Sequence, residues 1–216
     1  TAGCAGAGRP TLTEDTLLDS RSNNFLGALS ILRGGDEAAI AWVDVSTGDL
    51  FVACVDPGDV RSRIAALSLS ELIVADQDAP SEDWRARLGD LAADIALERQ
   101  PAAHFDSRAG KRRLMDAFGV SSLDGFGEFT RSELAALGAL LAYVDLTQVG
   151  KTPAMRAPRR RVAEDVMLID QATRASLELF RTQSGERKGS LLHAIDRTVT
   201  GPGARLLASR LSAPLL

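Results

Sequence analysis

Cysteine, histidine and long apolar runs are all scarce in this chain, and each scarcity removes a class of protein. Two cysteines, Cys4 and Cys54, in 216 residues are too few for a disulfide-stapled scaffold. Cys54 lies inside the apolar run LFVACV and reads as a buried free thiol, so a reduced, cytoplasmic setting is expected. The two histidines, His104 and His193, have no Cys or carboxylate pair at ligand spacing, which points to packing or surface roles. No Ser/His/Asp or Cys/His set is legible. No apolar run approaches bilayer length, and the first residues lack the basic region, apolar block and cleavage site of a secretory signal. No G-x-x-x-x-G-K-[ST] loop occurs either; the glycine-rich stretch GPGAR, Gly201–Arg205, lacks both its spacing and its lysine.

What is present is ordinary for a globular chain: 45% apolar and 25% charged residues, in a length sufficient to bury a core. The net charge of −4 conceals an asymmetry. Residues 1–100 hold 8 Lys+Arg against 17 Asp+Glu, and residues 101–216 hold the remaining 17 against 12. Two structural units with different surfaces are expected.

Residues 1–22, opening TAGCAGAGRP, have no periodicity and read as a lead-in. From Asn23 a β pattern appears, with NNFLGALSIL and AAIAWVDV alternating between two faces on either side of the turn RGGDE, and LFVACV following the tight turn STGD. These spell a three-stranded antiparallel meander. Ile40 and Trp42 occupy one face of its second strand and Ala41, Val43 and Val45 the other, so both faces need covering. The cover follows as a helix from DVRSRIAAL with Asp59 as its cap, a buried strand SELIVAD, a helix SEDWRARLGDL capped by Ser81, and a strand DIALER. A meander followed by β-α alternation predicts a mixed α/β sheet with helices on both faces.

DSRAGKRRLMDAFG adds a helix ending at Gly119. Thr130 and Glu133 form a T-x-x-E capping box that opens a long helix, with Leu134, Leu137, Leu141 and Val144 as a stripe down one side. The segment KTPAMRAPRRR, with two prolines and five basic residues, is too broken for a helix and reads as a linker over 151–163. Beyond it, MLIDQATRASLELF reads as a helix over Met167–Phe180 capped by Asp170, followed by short helices in SLLHAIDRT and in TGPGARLLASRLS, the last with Thr200 as cap and Pro202 in its first turn.

The ordered pair ID-x-A-T-R-x-x-L-E and DRTVT-x-x-G-x-R-x-L resembles the start of the core domain of the MutS mismatch-repair family. TLTEDTLLDSRSNNFLGAL, AWVDVSTGDLFV and the GFG before the long helix are similar to that family's connector domain. The resemblance runs from about Thr11 onward, and CAGAGRP departs from the family's passage from TAG or TPG straight into TLT. It implies an RNase H-like connector over 23–150 and an incomplete helical core segment over 164–216, cut from a longer protein. It also implies a non-catalytic role, relaying conformational change and recruiting a MutL-like partner. The parent would be a dimeric ATPase that uses ATP and Mg²⁺ and engages mismatched double-stranded DNA, while this segment would hold no cofactor. The incomplete core should leave Leu179, Leu191, Leu207 and Leu211 short of partners. Two alternatives are a metal-dependent RNase H-like nuclease and a free-standing adaptor.

Three motifs carry sharper chemistry. Phe126–Glu128 matches the F-x-E spacing with which the family wedges an aromatic ring beside a mispaired base, but it lies far from that motif's place, and a loop Phe docking a helix is the favoured reading. Asp44, with Asp49, Asp76 and Asp78, could supply nuclease carboxylates; turns recruit Asp for backbone hydrogen bonds as readily, and an inactive sheet is favoured. Lys151, Arg156, Arg159, Arg160 and Arg161 could make weak, nonspecific phosphate contacts, against a solvated linker or one paired with the acidic first half.

Overall fold

A computed structural model of the chain describes residues 25–32, 34, 36–76, 88–89, 91–147, 155–161, 167 and 169–214. The lead-in and most of the helix expected after Ser81 lie outside these residues. Strands β1 (Phe25–Ile31), β2 (Ala38–Asp44) and β3 (Leu50–Val55) form the expected antiparallel meander, with Gly27 opposite Trp42 and Trp42 opposite Phe51. β4 (Glu71–Asp76) adds parallel to β1, and β5 (Ala96–Pro101) adds parallel to β4. On the far edge the short β6 (Arg159–Arg160) lies parallel to β3, giving the order β5-β4-β1-β2-β3-β6. Part of the segment read as a linker is therefore an edge strand.

Alternation along the strands splits the core in two. Leu29, Ile40 and Trp42 face a cluster closed by helix α1 (Val60–Leu67) and α2 (Leu91–Asp94), which includes Ile64, Leu72 and Leu91. Leu26, Ala41, Val43 and Val52 face the opposite cluster, closed by α3 (Ser107–Phe118) and α4 (Arg131–Thr147). Covering both faces is what the two-sided apolarity of β2 requires.

Three local expectations need revision. Asp59 precedes α1 with helical backbone angles and its side chain makes no capping hydrogen bond, because the chain already coils through the turn before it. Cys54 is exposed although it shares the phase of the buried Leu50 and Val52, because it lies near the end of β3 where α4 only begins, its Sγ 3.6 Å from Thr130 Oγ1. α4 carries more than one apolar stripe: twelve of its residues are buried, including Ala135, Ala139 and Ala142 between the leucines. A helix buried on nearly every side sits between layers, here between the sheet and α3.

α3 can cross α4 at backbone distance because glycine meets glycine. A Cβ placed on Gly110 would lie 3.0 Å from the Leu134 carbonyl carbon and 3.3 Å from Gly138 Cα; one on Gly138 would lie 3.2 Å from Gly110 N. α3 begins with Asp106 accepting from Ala109 N at 2.7 Å and ends at Gly119, whose φ of 63° is the left-handed value that glycine adopts without cost.

In the last third, α5 spans only Gln171–Ser176, shorter than the Met167–Phe180 helix expected. Asp170 caps it, accepting from Thr173 N at 3.0 Å, but Glu178 at φ 48° turns the chain sharply. That turn tucks Leu179 inward at 4% exposure, where its carbonyl accepts from Leu192 N at 2.9 Å. α6 (Leu191–Ile195) and α7 (Gly201–Ser212) follow, capped by Ser190 and Thr200. Leu179 thus has the shelter it was expected to lack. Leu191 is 40% exposed, Leu207 and Leu211 are half-buried, and Leu177, Ile195, Val199 and Leu206 are exposed as well. No helix among the described residues is long and apolar enough to cross a membrane.

Candidate functional site

The basic segment 155–161 lies against β3 as a strap. Arg156 N donates to Gly48 O at 2.8 Å and Arg161 N to Val52 O at 2.8 Å, so its backbone extends the sheet. Pro158, between these anchors, is buried, and Met155, just before the first, packs against the core cluster of α4. Three of the strap's four arginines engage other parts of the chain. Arg156 Nη1 donates to Asp49 Oδ1 at 2.9 Å, the pairing with the acidic first half that the charge asymmetry suggested. Arg161 stacks its guanidinium 4.8 Å from the Phe51 ring centre.

Arg160 reaches furthest in. Its Nε donates to Glu133 Oε1 at 2.9 Å, its Nη2 to Glu133 Oε2 and to the Glu128 carbonyl, and it lies 5.8 Å from the Phe129 ring centre. The Glu133 side chain is fully buried. The same carboxylate closes the capping box, accepting from Thr130 N at 2.8 Å while Glu133 N donates to Thr130 Oγ1 at 3.3 Å. One buried carboxylate therefore starts α4 and holds the strap. Its hydrogen bonds hold the Arg160 guanidinium above the usual arginine range. Arg159 is exposed on β6, and Lys151 lies outside the described residues.

The turn between β2 and β3 engages both of its aspartates. Asp44 Oδ1 accepts from Ser46 N at 2.9 Å and from the Ser46 hydroxyl, while its carbonyl accepts from Gly48 N at 2.8 Å. Asp49 Oδ2 accepts from Thr47 Oγ1 at 2.9 Å, and Asp49 Oδ1 holds Arg156. Asp76 faces Arg99 across 4.0 Å at an exposed position, and Asp78 lies outside the described residues. Among the described residues no three His, Cys, Asp or Glu converge as a metal site would need.

Phe126 is half-buried and meets Phe118 of α3 edge-on, 5.6 Å between centres at 69°, so this ring docks a helix. His104 buries Nδ1 without a hydrogen-bond partner, and burial followed by the nearby Arg113 pushes its pKa down. His193 is exposed beside a polar cleft of about 510 Å³ that it lines with Arg187, Ala194, Asp196 and Arg197.

Two buried polar groups escaped the sequence reading. Glu71 on β4 is 6% exposed and accepts a hydrogen bond from the Tyr143 hydroxyl of α4; burial raises its pKa, and the nearby Glu98 adds to the rise against that bond. Burial and Glu71 together push the Tyr143 phenol well above its ordinary value. Arg174 is 6% exposed, donating through Nε to Ile169 O at 2.9 Å and through Nη2 to Ser212 O, which fastens α5 to the end of α7. Nothing local in a strand's first residue or a helix's fourth marks either as buried.

The arrangement can be set beside known proteins. Residues 24–156 match the family description MutS domain II, and residues 172–216 match MutS domain III. The chain belongs to the MutS family of DNA mismatch-repair proteins. It is 49% identical over 204 residues to a DNA mismatch repair protein MutS of Cereibacter sphaeroides strain ATCC 17025, covering 94% of this chain and 22% of that relative. It is 46% identical over 208 residues to the MutS of Nitrobacter hamburgensis, covering 95% of this chain and 23% of the relative. The chain thus spans under a quarter of the length of these MutS relatives. The mixed six-stranded sheet with flanking helices is the MutS domain II fold, RNase H-like as the connector resemblance implied. Arg174, buried here, is the arginine of the ID-x-A-T-R motif, which gives that motif a structural reason in MutS domain III.

Proposed function

We propose that this chain is a non-catalytic part of a MutS mismatch-repair ATPase, a connector joined to the first helices of the core. In this reading it relays ATP-driven rearrangement between the mismatch-recognition, core and ATPase parts and helps to recruit a MutL-like partner. ATP, Mg²⁺ and mismatched duplex are then met by the dimeric parent. The observation that carries the reading is the strap: the segment leading from the sheet toward α5 is bonded to the β2–β3 turn through Arg156 and to the start of α4 through Arg160. A relay needs such a mechanical link, and this one sits where the two family regions meet. The exposed Leu177, Ile195, Val199 and Leu206 support a helical segment that packs against further chain. The nuclease alternative has no specific observation in its favour, because Asp44 and Asp49 serve the turn and the strap.

The test is Arg160→Ala in the full-length MutS protein that contains this chain. Mismatch affinity should stay unchanged, while ATP-triggered release from an end-blocked mismatched duplex and capture of a MutL-like protein should fall several-fold. Unchanged release and capture in a folded variant would refute the relay.

A further inference from the structure

The strap's arginines resembled a phosphate-binding run in sequence, yet Arg156, Arg160 and Arg161 are bonded within the fold. A second basic run, RAGKRR, holds four cations in the six residues 108–113. Arg113 turns inward, donating to His104 O and Gly138 O at 3.3 Å each. The side chains of Arg108, Lys111 and Arg112 are exposed and form no hydrogen bond or ion pair with any described residue. From their places in α3, we infer that these three residues form a nucleic-acid backbone contact that reads phosphate and no base.

Their spacing, i, i+3 and i+4, puts the three side chains on one face within about 6 Å along the helix axis. Local electrostatics oppose this placement. Arg108 stands in the first turn, where the helix dipole disfavours cations, and each of its neighbours one turn on carries the same sign. Asp106 is engaged as the cap, and Asp116, one turn beyond Arg112, forms no ion pair with it. A bound polyanion removes that repulsion. The base of the platform is fixed, with Leu114 fully buried and Gly110 seated on Gly138.

The face offers charge and little else. No aromatic residue stands among the three cations to stack a base, and no large apolar side chain is exposed between them. Protein interfaces centre on desolvated apolar or aromatic anchors and are depleted in lysine, whereas phosphate contacts need only cations. Nucleic acid is therefore favoured over an acidic protein. The site lies on the connector sheet's helical cover and goes beyond the relay proposed above.

The probe is a labelled 30-bp duplex of arbitrary sequence, titrated by fluorescence anisotropy with the 216-residue chain. Three phosphate contacts give a slope of log affinity against log salt near −2.7, so raising salt fourfold from 25 to 100 mM weakens binding about 40-fold. The variant R108Q/K111Q/R112Q should flatten that slope by about 2.7, while R156Q/R161Q should leave it unchanged; circular dichroism checks that both fold. A slope surviving in the first variant, a slope lost only in the second, or no duplex binding at 25 mM salt overturns the assignment. Binding of poly-glutamate without binding of duplex also overturns it, in favour of an acidic protein partner.

Discussion

Replacing Gly110 by alanine sets two effects of opposite sign against each other. In a free helix interior the change gains about 0.8–1.0 kcal/mol, because alanine loses less backbone freedom. Here the new methyl would fall inside the contact radius of the Leu134 carbonyl oxygen and 3.0 Å from its carbon, where ordinary contact begins near 3.4 Å. The obstacle is backbone, so no rotamer change relieves it. α4 cannot retreat, since Leu137, Leu140 and Leu141 are packed at 0–1% exposure. α3 must move instead, and overpacking of this kind costs about 1–3 kcal/mol, with backbone against backbone at the upper end. The net expectation is a loss of about 1–2 kcal/mol, read as a lower urea midpoint at constant slope. Gly58→Ala is the control: a Cβ there meets nothing within 4 Å, and its stability should shift by no more than about 0.5 kcal/mol. Gly138→Ala presses on the same crossing, so the double variant should cost less than the two single changes added together. A neutral or stabilised Gly110→Ala protein would show that the helices do not touch as described.

Arg160→Ala strands the buried Glu133 carboxylate; breaking a fully buried pair costs about 3–5 kcal/mol, and the 42% exposure of Arg160 reduces the expectation to about 1–3 kcal/mol, checked by urea unfolding. Glu71 binds its proton more tightly folded than unfolded, so its contribution is fully present below the ordinary carboxylate range and declines as pH rises through its raised folded pKa. Tyr143→Phe removes the hydrogen bond that favours the charged form, so the variant should lose about 1.5–3 kcal/mol where Glu71 is ionised and less where it is protonated; equal losses at pH 5 and pH 8 would contradict this. Thr200→Ala deletes the oxygen that accepts from Gly203 N, costing about 1 kcal/mol and speeding amide exchange within residues 201–212.

Signals that act over a few residues were legible in the sequence. The alternation in β2, the T-x-x-E box at Thr130, the glycine after α3 and the Asp170 and Thr200 caps are each set by neighbours within four positions, and the structure holds all of them. Features that depend on what arrives from elsewhere were not. The exposure of Cys54 depends on where α4 begins over the end of β3, and the burial of Leu179 depends on one left-handed residue at Glu178. Glu71 looked like an ordinary polar strand start until Tyr143, the chain's one tyrosine, came down over it from α4. The basic strap was visible as charge, but its partners Asp49 and Glu133 lie 107 and 27 residues away. Small residues at Gly110 and Gly138 were the one overlooked clue to a close helix crossing.

The two-residue length of β6 gives the strap a direction-dependent strength. Its backbone bonds at Gly48 and Val52 and its side-chain bonds at Asp49 and Glu133 bridge the same short seam. Tension along the strand loads all of them at once and transmits displacement to the sheet. A pull outward from the edge meets them singly, beginning at Arg161. The seam is stiff to traction and yields to peeling, so the direction of a tug on it decides whether the sheet follows or lets go.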